Sequence, residues 1–565
     1  MAIVAHIVPL AALTGAGSDA RQDEHRSALM TLRALASNAR VLRTGMFGLA
    51  VLGYTVLRLP SFFEPHWYTD EAGYATTARE MLRGKILYAD IWNNKPPLHL
   101  WTVAAALRLF GSGEAGFHLV SYLFGLLTLG AAAYAAFRLL TPVRAIVALA
   151  IVTVLLGTPV LDAELLLPES LLIAPAAWAG SLLLVRQYGD RPDHRRRWSL
   201  VVGVLAGLAV AYQQTALADS AAFLLILLLS PQARASDSLL YVAGFTSTTA
   251  LWLVPSMALA GASNVTYALV YFYIPYTSAN WSHAPGLVAL LAGAMLLAAL
   301  LAGAGALTGR RGSPTAAVGL WSVATLLAAA APQHQYPHLL LPAVVPTALL
   351  AASLRLPSTL RLKAGLRGRL TAVSMALAVL IATGLAAVTG FDWIPQPYSH
   401  SAPGHNLAYY YGGLAGVATG QGSLVAWRRG FDERVGSDYA VARWLRANGL
   451  NRSTAVIWSS DAWLYLLADL DEVMPTPPIY NNFALLGQNG EVTKYVHDQR
   501  PEVIVTADTE TSAFPEIFPL LRQDYVQVFS AGLDHVWVLV EEQSTPNPDA
   551  SQPEEVPSPR SQVRS

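Results

Sequence analysis

Two adjacent carboxylates and one lysine follow the first long apolar run of the chain, at Asp70, Glu71 and Lys95. A carboxylate can accept the proton of an attacking hydroxyl. A lysine can stabilise the negative charge that develops on a departing phosphate. These residue types therefore indicate group transfer from a phosphate ester. Their place beside an apolar run would let a lipid tail stay in the bilayer during the reaction.

Each of these residues also has a structural interpretation. Asp70 precedes a short amphipathic stretch and has the type that caps helix N-termini. Lys95 has the type that extends its ammonium group from an apolar surface into water. The same loop carries Arg79, Arg83 and Lys85, which are either held there by a bound anion or lie on anionic lipid headgroups.

The composition is that of a membrane protein. Of the 565 residues 54% are hydrophobic and 13% are charged, and the mean hydropathy is +0.40. Soluble domains carry roughly 25% charged residues, so this chain has too little polar surface to be soluble. A net charge of zero gives no support to nucleic-acid binding. The absence of cysteine excludes disulfides, thiolate metal sites and cysteine nucleophiles.

We interpret eleven apolar runs as candidate membrane spans, and a helix that crosses a bilayer has about 20 residues. They lie near 44–62, 114–137, 143–158, 170–186, 199–215, 217–230, 238–259, 285–307, 315–331, 337–354 and 370–390. The run 96–110 is too short to cross a bilayer, and we interpret it as an interfacial helix with Trp101 at headgroup depth.

Basic residues give the orientation, because cytoplasmic loops carry an excess of Lys and Arg. With a cytoplasmic N-terminus and a non-spanning 96–110, the basic loops between spans fall inside. The loops near 159–169, 260–284 and 332–336 fall outside and contain no Lys or Arg. The sequence thus predicts a multi-pass inner-membrane protein whose first loop, 63–113, lies outside.

Four segments follow from these patterns. Residues 1–42 form a cytoplasmic lead and 43–390 a transmembrane domain. Residues 391–542 form a small extracytoplasmic α/β domain, and the Ser-, Pro- and Glu-rich tail 543–565 has the composition of disordered chain. In the α/β domain we predict a helix capped by Ser437 and strands at 455–458, 503–505 and 536–540.

The stretch 68–125 resembles the first extracytoplasmic loop of the GT-C superfamily of membrane glycosyltransferases. It is most similar to the bacterial enzymes related to protein O-mannosyltransferases and to the aminoarabinose transferase of lipid A. The shared pattern is an Asp-Glu pair, a Tyr three residues later, a Lys-Pro-Pro element and a Leu-Phe-Gly element. Here these are Asp70-Glu71, Tyr74, Lys95-Pro96-Pro97 and Leu109-Phe110-Gly111.

The resemblance implies a fold, a reaction and several roles. The fold is a GT-C-like bundle of about eleven transmembrane helices. The reaction transfers a sugar, with inversion, from a polyprenyl-phosphate-linked donor to an extracytoplasmic glycan, lipid or protein. Asp70 is then the catalytic base with Glu71 beside it, Lys95 and Arg79 contact the carrier phosphate, and Tyr74 lines the substrate site.

A second catalytic acid is expected in the next outside loop, where Asp162, Glu164 and Glu169 are available. Relatives often have an acid six residues before a proline in the following helix. Glu169 and Pro175 have that spacing, so we predict Glu169 as the second acid. The alternative is a glutamate placed at a helix start because the helix dipole favours it there.

Two further substrate contacts are predicted, each with a departure from the pattern. Gln214 follows Gln213 where relatives often have Lys-Gln. His338 lies in an aromatic-x-His element at the start of a late span, but the upstream Arg of relatives is absent. A histidine at a helix start also has a purely structural interpretation.

No metal motif stands out, and no cofactor is identified. Asp70, Glu71 and Glu169 have the oxygen ligands that Mg²⁺ or Mn²⁺ prefers, although their spacing does not require an ion. Two other classes of protein fit the composition. One is a transporter or lipid flippase, and the other is a non-catalytic membrane scaffold. The sugar and the acceptor are not encoded in any pattern that we recognise.

Overall fold

The computed structural model describes residues 39–188, 195–230, 233–274, 314–331, 336–353, 406–488 and 490–540. The chain divides into two compact units, Met1–Val435 and Gly436–Ser565. The predicted lead 1–42 lies almost wholly outside the described residues, as do the predicted spans 285–307 and 370–390 and the tail 543–565. The predicted domain boundary at 391 lies outside them too and stays a prediction.

The first unit is helical. Its described α-helices are α1 Ala39–Arg58, α2 Thr69–Leu82, α3 Pro97–Phe110, α4 Glu114–Leu139, α5 Pro142–Gly157, α6 Pro168–Tyr188, α7 Arg195–Tyr212, α8 Ala216–Leu229, α9 Ala235–Ala260, α10 Ala262–Thr266, α11 Pro314–Ala330, α12 Val344–Ser353, α13 Leu407–Ala418 and α14 Leu424–Arg429. Shorter helical turns cover Leu59–Phe63, Pro159–Leu161, Tyr267–Tyr271 and Pro337–Ala343.

Four described helices are long and apolar enough to cross a membrane, judged by length and composition. They are Val41–Phe63, Glu114–Leu139, Pro168–Tyr188 and Ala235–Ala260, and five shorter apolar helices accompany them. The apolar runs 199–215 and 217–230, predicted as separate spans, are separate helices, because α7 ends at Tyr212 and α8 begins at Ala216. The chain has the membrane-protein character that its composition predicts.

Glycines let α7 and α9 approach closely. A Cβ atom on Gly203 would lie 2.0 Å from the carbonyl oxygen of Tyr241, and one on Gly244 would lie 2.3 Å from that of Leu200. Neither position can carry a side chain without separating the helices. Helix α7 ends at Tyr212, and the next two residues, Gln213 and Gln214, enter the site described below.

The second unit is a small α/β domain that begins within helix α15, Arg434–Ala447. Its remaining elements are β1 Thr454–Trp458, α16 Trp463–Leu467, β2 Asp471–Glu472, α17 Ile479–Leu486, α18 Glu491–Gln499, β3 Val503–Ala507, α19 Asp508–Ala513, α20 Ile517–Asp524, β4 Tyr525–Ala531 and β5 Asp534–Leu539. The strand order is β2-β1-β3-β5-β4, with β2, β1 and β3 parallel and the other two pairings antiparallel.

The three predicted strands are confirmed as β1, β3 and β5, and the α/β character of this domain is confirmed with them. The predicted cap at Ser437 is wrong, because α15 already begins at Arg434. The carboxylate of Asp432 accepts a hydrogen bond of 2.9 Å from the backbone N–H of Arg434 and supplies the helix start instead. Ser437 is buried within the helix.

Candidate active site

Asp70 is the second residue of α2, the helix that follows the first apolar helix. Tyr68 occupies the cap position, so the capping interpretation of Asp70 does not apply. Asp70 is exposed, and within the described residues its carboxylate has neither a hydrogen bond nor an ion pair. The start of a helix favours a negative charge at this place.

Lys95 is held through its backbone. Its N–H donates to Asn93 Oδ1 at 3.1 Å, and its carbonyl accepts from the Tyr88 hydroxyl at 2.7 Å. The preceding carbonyl, that of Asn94, accepts from Gln214 Nε2 at 2.9 Å and from the Tyr273 hydroxyl at 3.0 Å. Pro97 then starts α3. The lysine backbone therefore sits in a rigid turn.

The Lys95 ammonium group projects among tyrosines. It lies 6.0 Å from the ring centre of Tyr74 and interacts with the hydroxyl of Tyr273. Burial alone would lower the pKa of Lys95. The hydroxyls of Tyr273 and Tyr74, followed by the carboxylates of Glu169 and Asp70, raise it well above its usual range. The lysine is thus a permanent cation at neutral pH.

Burial raises the pKa of Asp70. The charges of Lys95 and, to a smaller extent, His338 lower it, but the effect of burial is larger. The residue as a whole is nevertheless exposed to solvent. Asp70 and Lys95 interact electrostatically, and the carboxylate of Asp70 has no bonded partner in the described part of the chain. We call these two residues the open pair.

Glu71, the neighbour of Asp70, points elsewhere. Its carboxylate accepts a 2.7 Å hydrogen bond from the backbone N–H of Leu166. The carbonyl of Leu166 accepts one of 3.1 Å from His99 Nε2. Burial raises the pKa of Glu71 to about 8 and lowers that of His99 to about 4. These two side chains hold the loop before α6.

Two acids of the second loop reach the neighbourhood of Asp70. Glu169, the predicted one, is buried near the start of α6 and accepts a 2.8 Å hydrogen bond from Gln213 Nε2. Asp162 adopts a left-handed backbone conformation and accepts a 3.1 Å hydrogen bond from His338 Nδ1. Both acids act electrostatically on Asp70.

The pairing with Asp162 orients His338. Nδ1 carries the proton that Asp162 accepts, and the Tyr68 hydroxyl oxygen lies 3.3 Å from the same nitrogen. The electrostatic partners of His338 include Glu169 and Asp70. Asp162 was an alternative in the sequence, and nothing in its spacing distinguished it. Tyr273 and Asn94 were not predicted as site residues at all.

The other charged residues of the first loop form a separate group. Glu80 is buried, and its carboxylate contacts Arg79 at 3.1 Å, Arg83 at 3.0 Å and Lys85 at 2.9 Å. We call these four residues the closed cluster. Arg79, predicted to contact phosphate, thus already faces an acid, while its predicted role stays a prediction.

Glu169 also lines a cavity with Asp219, Thr215 and Thr325. Its free space is about 240 Å³, counting the part open to solvent. Asp219 accepts a 2.7 Å hydrogen bond from Trp321 Nε1. The polar surface at Glu169 therefore continues into the bundle. Among the described residues no group of three or more His, Asp and Glu side chains is arranged to hold a metal ion.

Comparison with known proteins finds one family and several structures. Residues 94–258 match the family described as dolichyl-phosphate-mannose-protein mannosyltransferase. No curated protein sequence matches the chain. The matched segment begins at the residue before Lys95 and includes Gln214, but it covers less than a third of the chain.

Structures of ArnT and AglB are among the matches. ArnT from Cupriavidus metallidurans bound to undecaprenyl phosphate has a TM-score of 0.55 and 18% identity, covering 89% of this chain and 99% of ArnT. The apo state of the same protein has a TM-score of 0.55 and 19% identity, covering 88% of this chain and 98% of ArnT. A third match is the archaeal oligosaccharyltransferase AglB from Archaeoglobus fulgidus, in complex with an inhibitory peptide and a dolichol-phosphate. It has a TM-score of 0.48 and 12% identity, covering 89% of this chain and 75% of AglB.

Proposed function

We propose that this chain, which has the GT-C fold predicted from its sequence, is a membrane glycosyltransferase. It takes a sugar from a polyprenyl-phosphate carrier and transfers it to an extracytoplasmic glycan, lipid or protein. The observation that carries the proposal is the open pair: an accessible carboxylate without a bonded partner in the described residues, in the field of a cationic lysine. The undecaprenyl phosphate bound to the similar ArnT supports this class of donor.

In the proposed reaction the acceptor hydroxyl oxygen attacks the anomeric carbon of the donor. A bond forms between that oxygen and the carbon, and the bond from the carbon to the phosphate oxygen breaks. The acceptor's proton passes to the Asp70 carboxylate. The carrier leaves as a phosphate whose new negative charge Lys95 stabilises. Attack from the face opposite the phosphate inverts the anomeric configuration.

The other predicted residues take supporting roles. Tyr74 packs edge-to-face on His99, with ring centres 4.5 Å apart, and keeps Lys95 over its ring. Gln214 fixes the turn before Lys95. Glu169 and His338 lie within the field of Asp70 and are placed to contact the sugar or the acceptor. Glu71 shapes the neighbouring loop, which removes it from the group that we expect to touch substrate.

The extracytoplasmic side is supported by the distribution of basic residues. The predicted inside loops contain Arg138, Arg144 and Arg234, whereas the outside loop near 159–169, which carries Asp162 and Glu169, contains none. A carrier lipid in the outer leaflet would present its phosphate at this side. The reaction as proposed needs no metal ion, although the acids of the site have oxygen ligands that suit Mg²⁺.

The test replaces Asp70 by Asn in the full chain. Cells lacking the protein are complemented with the wild-type chain, with Asp70→Asn or with Glu80→Gln, and their envelope glycans are compared by mass spectrometry. A general base contributes on the order of 10²- to 10⁴-fold to rate. We expect Asp70→Asn to lose the sugar that the wild-type chain restores, while Glu80→Gln retains it.

Undecaprenyl phosphate binding by the purified variants is the second measurement. Asp70→Asn should bind this lipid about as tightly as the wild type does, because the substitution leaves Lys95 in place. If Asp70→Asn restores the glycan fully, the chain is not a transferase of this mechanism. A change in the distribution of lipid between leaflets, without any change in glycans, would point instead to a flippase.

A further inference from the structure

The segment that precedes the second unit packs against the segment that leads into Asp70. Residues 407–434, which we call the clasp, are far from the first loop in sequence but belong to the same compact unit. The contacts fall on residues 57–69, and α2 begins at Thr69, directly before Asp70. The clasp is thus placed to set the position of the Asp70 carboxylate.

A buried carboxylate lies at the centre of this contact. Glu64 has no exposed surface, and one of its oxygens accepts a hydrogen bond from the hydroxyl of Tyr410. Its other oxygen accepts one of 3.1 Å from Trp67 Nε1. A buried acid is costly unless its oxygens are bonded, so the tyrosine of the clasp and the tryptophan of the first loop both stabilise Glu64.

Aromatic packing surrounds this carboxylate. The ring of Trp67 lies 5.9 Å from that of Phe431, which in turn lies 5.9 Å from Tyr410 and 4.9 Å from Trp427. All four side chains are buried. The pair Trp67–Phe431 is tilted, and the two pairs within the clasp are edge-to-face. Ring contacts of this kind add to the stabilisation by buried area, so the clasp contact is a packed interface and not a single bond.

Two arginines extend the contact to either side. Arg428 Nε donates to the carbonyl of Phe63 at 2.8 Å. Arg434 Nη2 lies 3.5 Å from the hydroxyl of Thr69, the residue before Asp70. The contact therefore covers the end of the first apolar helix, the connecting turn and the first residue of α2.

We propose that the clasp positions Asp70 and that Tyr410 is its principal positioning residue. This inference rests on the proposed function, since positioning matters only if Asp70 reacts. The clasp holds residues 63–69 against the bundle and so keeps the carboxylate at a fixed distance from Lys95. Small displacements of a catalytic group cost large factors in rate, and the clasp prevents them.

The experiment compares two neighbouring tyrosines. In Tyr410→Phe the hydroxyl that binds the Glu64 carboxylate is lost. The matched variant Tyr411→Phe loses a hydroxyl at the end of the clasp contact that is farthest along the chain from Asp70. That hydroxyl donates to the backbone carbonyl of Leu57, in the membrane helix, at 3.0 Å. Hydrogen exchange of the full chain in detergent is measured by mass spectrometry, together with restoration of the envelope glycan.

For Tyr410→Phe we expect exchange at residues 64–72 to be roughly 10- to 100-fold faster, because a hydrogen bond to a buried carboxyl group is removed. Glycan transfer should fall by a similar factor, while undecaprenyl phosphate binding changes little. Tyr411→Phe should leave exchange at 64–72 and transfer near wild type. Faster exchange without any loss of transfer would overturn the positioning role.

A second variant keeps the test decisive if Tyr410→Phe does not fold. Arg428→Gln removes the partly exposed bond to Phe63, and Arg429→Gln is its matched neighbour on the same helix. Arg428→Gln should raise exchange at 64–72 more than Arg429→Gln does, and equal exchange would overturn the clasp. If Asp70→Asn loses transfer while all clasp variants keep it, the proposed function stands and the clasp fails. If Asp70→Asn keeps transfer, the function itself fails.

Discussion

The open pair and the closed cluster lie on the same loop and use the same residue types, yet they are built differently. In the closed cluster three cations contact the carboxylate of Glu80 at 2.9–3.1 Å. In the open pair Asp70 has no bonded partner among the described residues, and Lys95 contacts the ring of Tyr74 and the hydroxyl of Tyr273. One arrangement satisfies its charges internally, and the other leaves a carboxylate accessible.

The difference shows where chemistry is available. The carboxylate of Glu80 is already paired with Arg79, Arg83 and Lys85, so it stabilises the end of α2 and has few lone pairs left to bind a substrate. Asp70 keeps its lone pairs free and is enclosed enough for burial to raise its pKa. A carboxylate with a raised pKa accepts protons more readily at neutral pH, which is what a general base needs.

The largest expected effect on lipid binding separates the two lysines of the loop. Lys95→Gln removes the cation of the open pair, and we expect undecaprenyl phosphate to bind roughly 10- to 100-fold more weakly, as for loss of a charge-assisted hydrogen bond. Lys85→Gln, the control, removes a lysine that already contacts Glu80 and should change affinity less than about threefold. The measurement is a titration of the purified full chain with this lipid.

Equal losses in the two lysine variants would break the comparison. They would mean that the whole basic loop attracts the lipid through its summed charge and not through one contact. Repeating the titration at high salt would then weaken binding of both variants alike, because exposed charges are screened.

Much of the fold was predictable because it depends on local patterns. Apolar runs marked the helices of the first unit, and short β-branched runs marked β1, β3 and β5. Position along the chain also predicted Asp70 at the start of a short helix and Lys95 shortly before the next one, and α2 and α3 begin at Thr69 and Pro97. These features need only the residue types of a segment and its immediate flanks.

Contacts across the chain were not predictable in this way. His338 and Asp162 are 176 residues apart in the sequence, and Tyr410 and Glu64 are 346 residues apart. No local pattern in one segment of a pair indicates that it contacts the other. Side-chain direction was hidden as well. Successive residues on a helix point about 100° apart, so Asp70 and Glu71 face different groups although the sequence presents them as a pair.

Glu71 gives a smaller effect that tests this division of roles. The pKa of Glu71 is raised to about 8 in the folded chain, so the folded chain binds this proton more tightly than the unfolded chain does. The resulting contribution to the free energy of unfolding is fully present at low pH. That contribution falls as pH rises from its unfolded pKa of about 4.3 through 8, by up to about 1.4 kcal/mol for each pH unit. Glu71→Gln keeps an oxygen for Leu166 but cannot titrate.

We therefore expect the thermal midpoint of the wild-type chain in detergent to fall more between pH 5 and pH 8 than that of Glu71→Gln. Envelope glycan transfer by Glu71→Gln should stay within about tenfold of wild type, because the Leu166 N–H keeps an acceptor. Parallel pH curves for the two proteins would show that Glu71 is already ionised in the folded chain. A complete loss of transfer would support the role that the sequence predicted for Glu71, as a catalytic residue beside Asp70.

The smallest effect is expected at Arg79, where the sequence predicted a phosphate contact. In Arg79→Gln the carboxylate of Glu80 still has Arg83 and Lys85, at 3.0 Å and 2.9 Å, so the closed cluster keeps two of its three cations. We expect undecaprenyl phosphate affinity to change less than about threefold, in the range of a single ion pair within a network. The titration that distinguishes Lys95 from Lys85 measures this directly. A tenfold loss would instead show that Arg79 exchanges Glu80 for the lipid phosphate, and the closed cluster would then be a reserve of phosphate ligands that opens when the carrier binds.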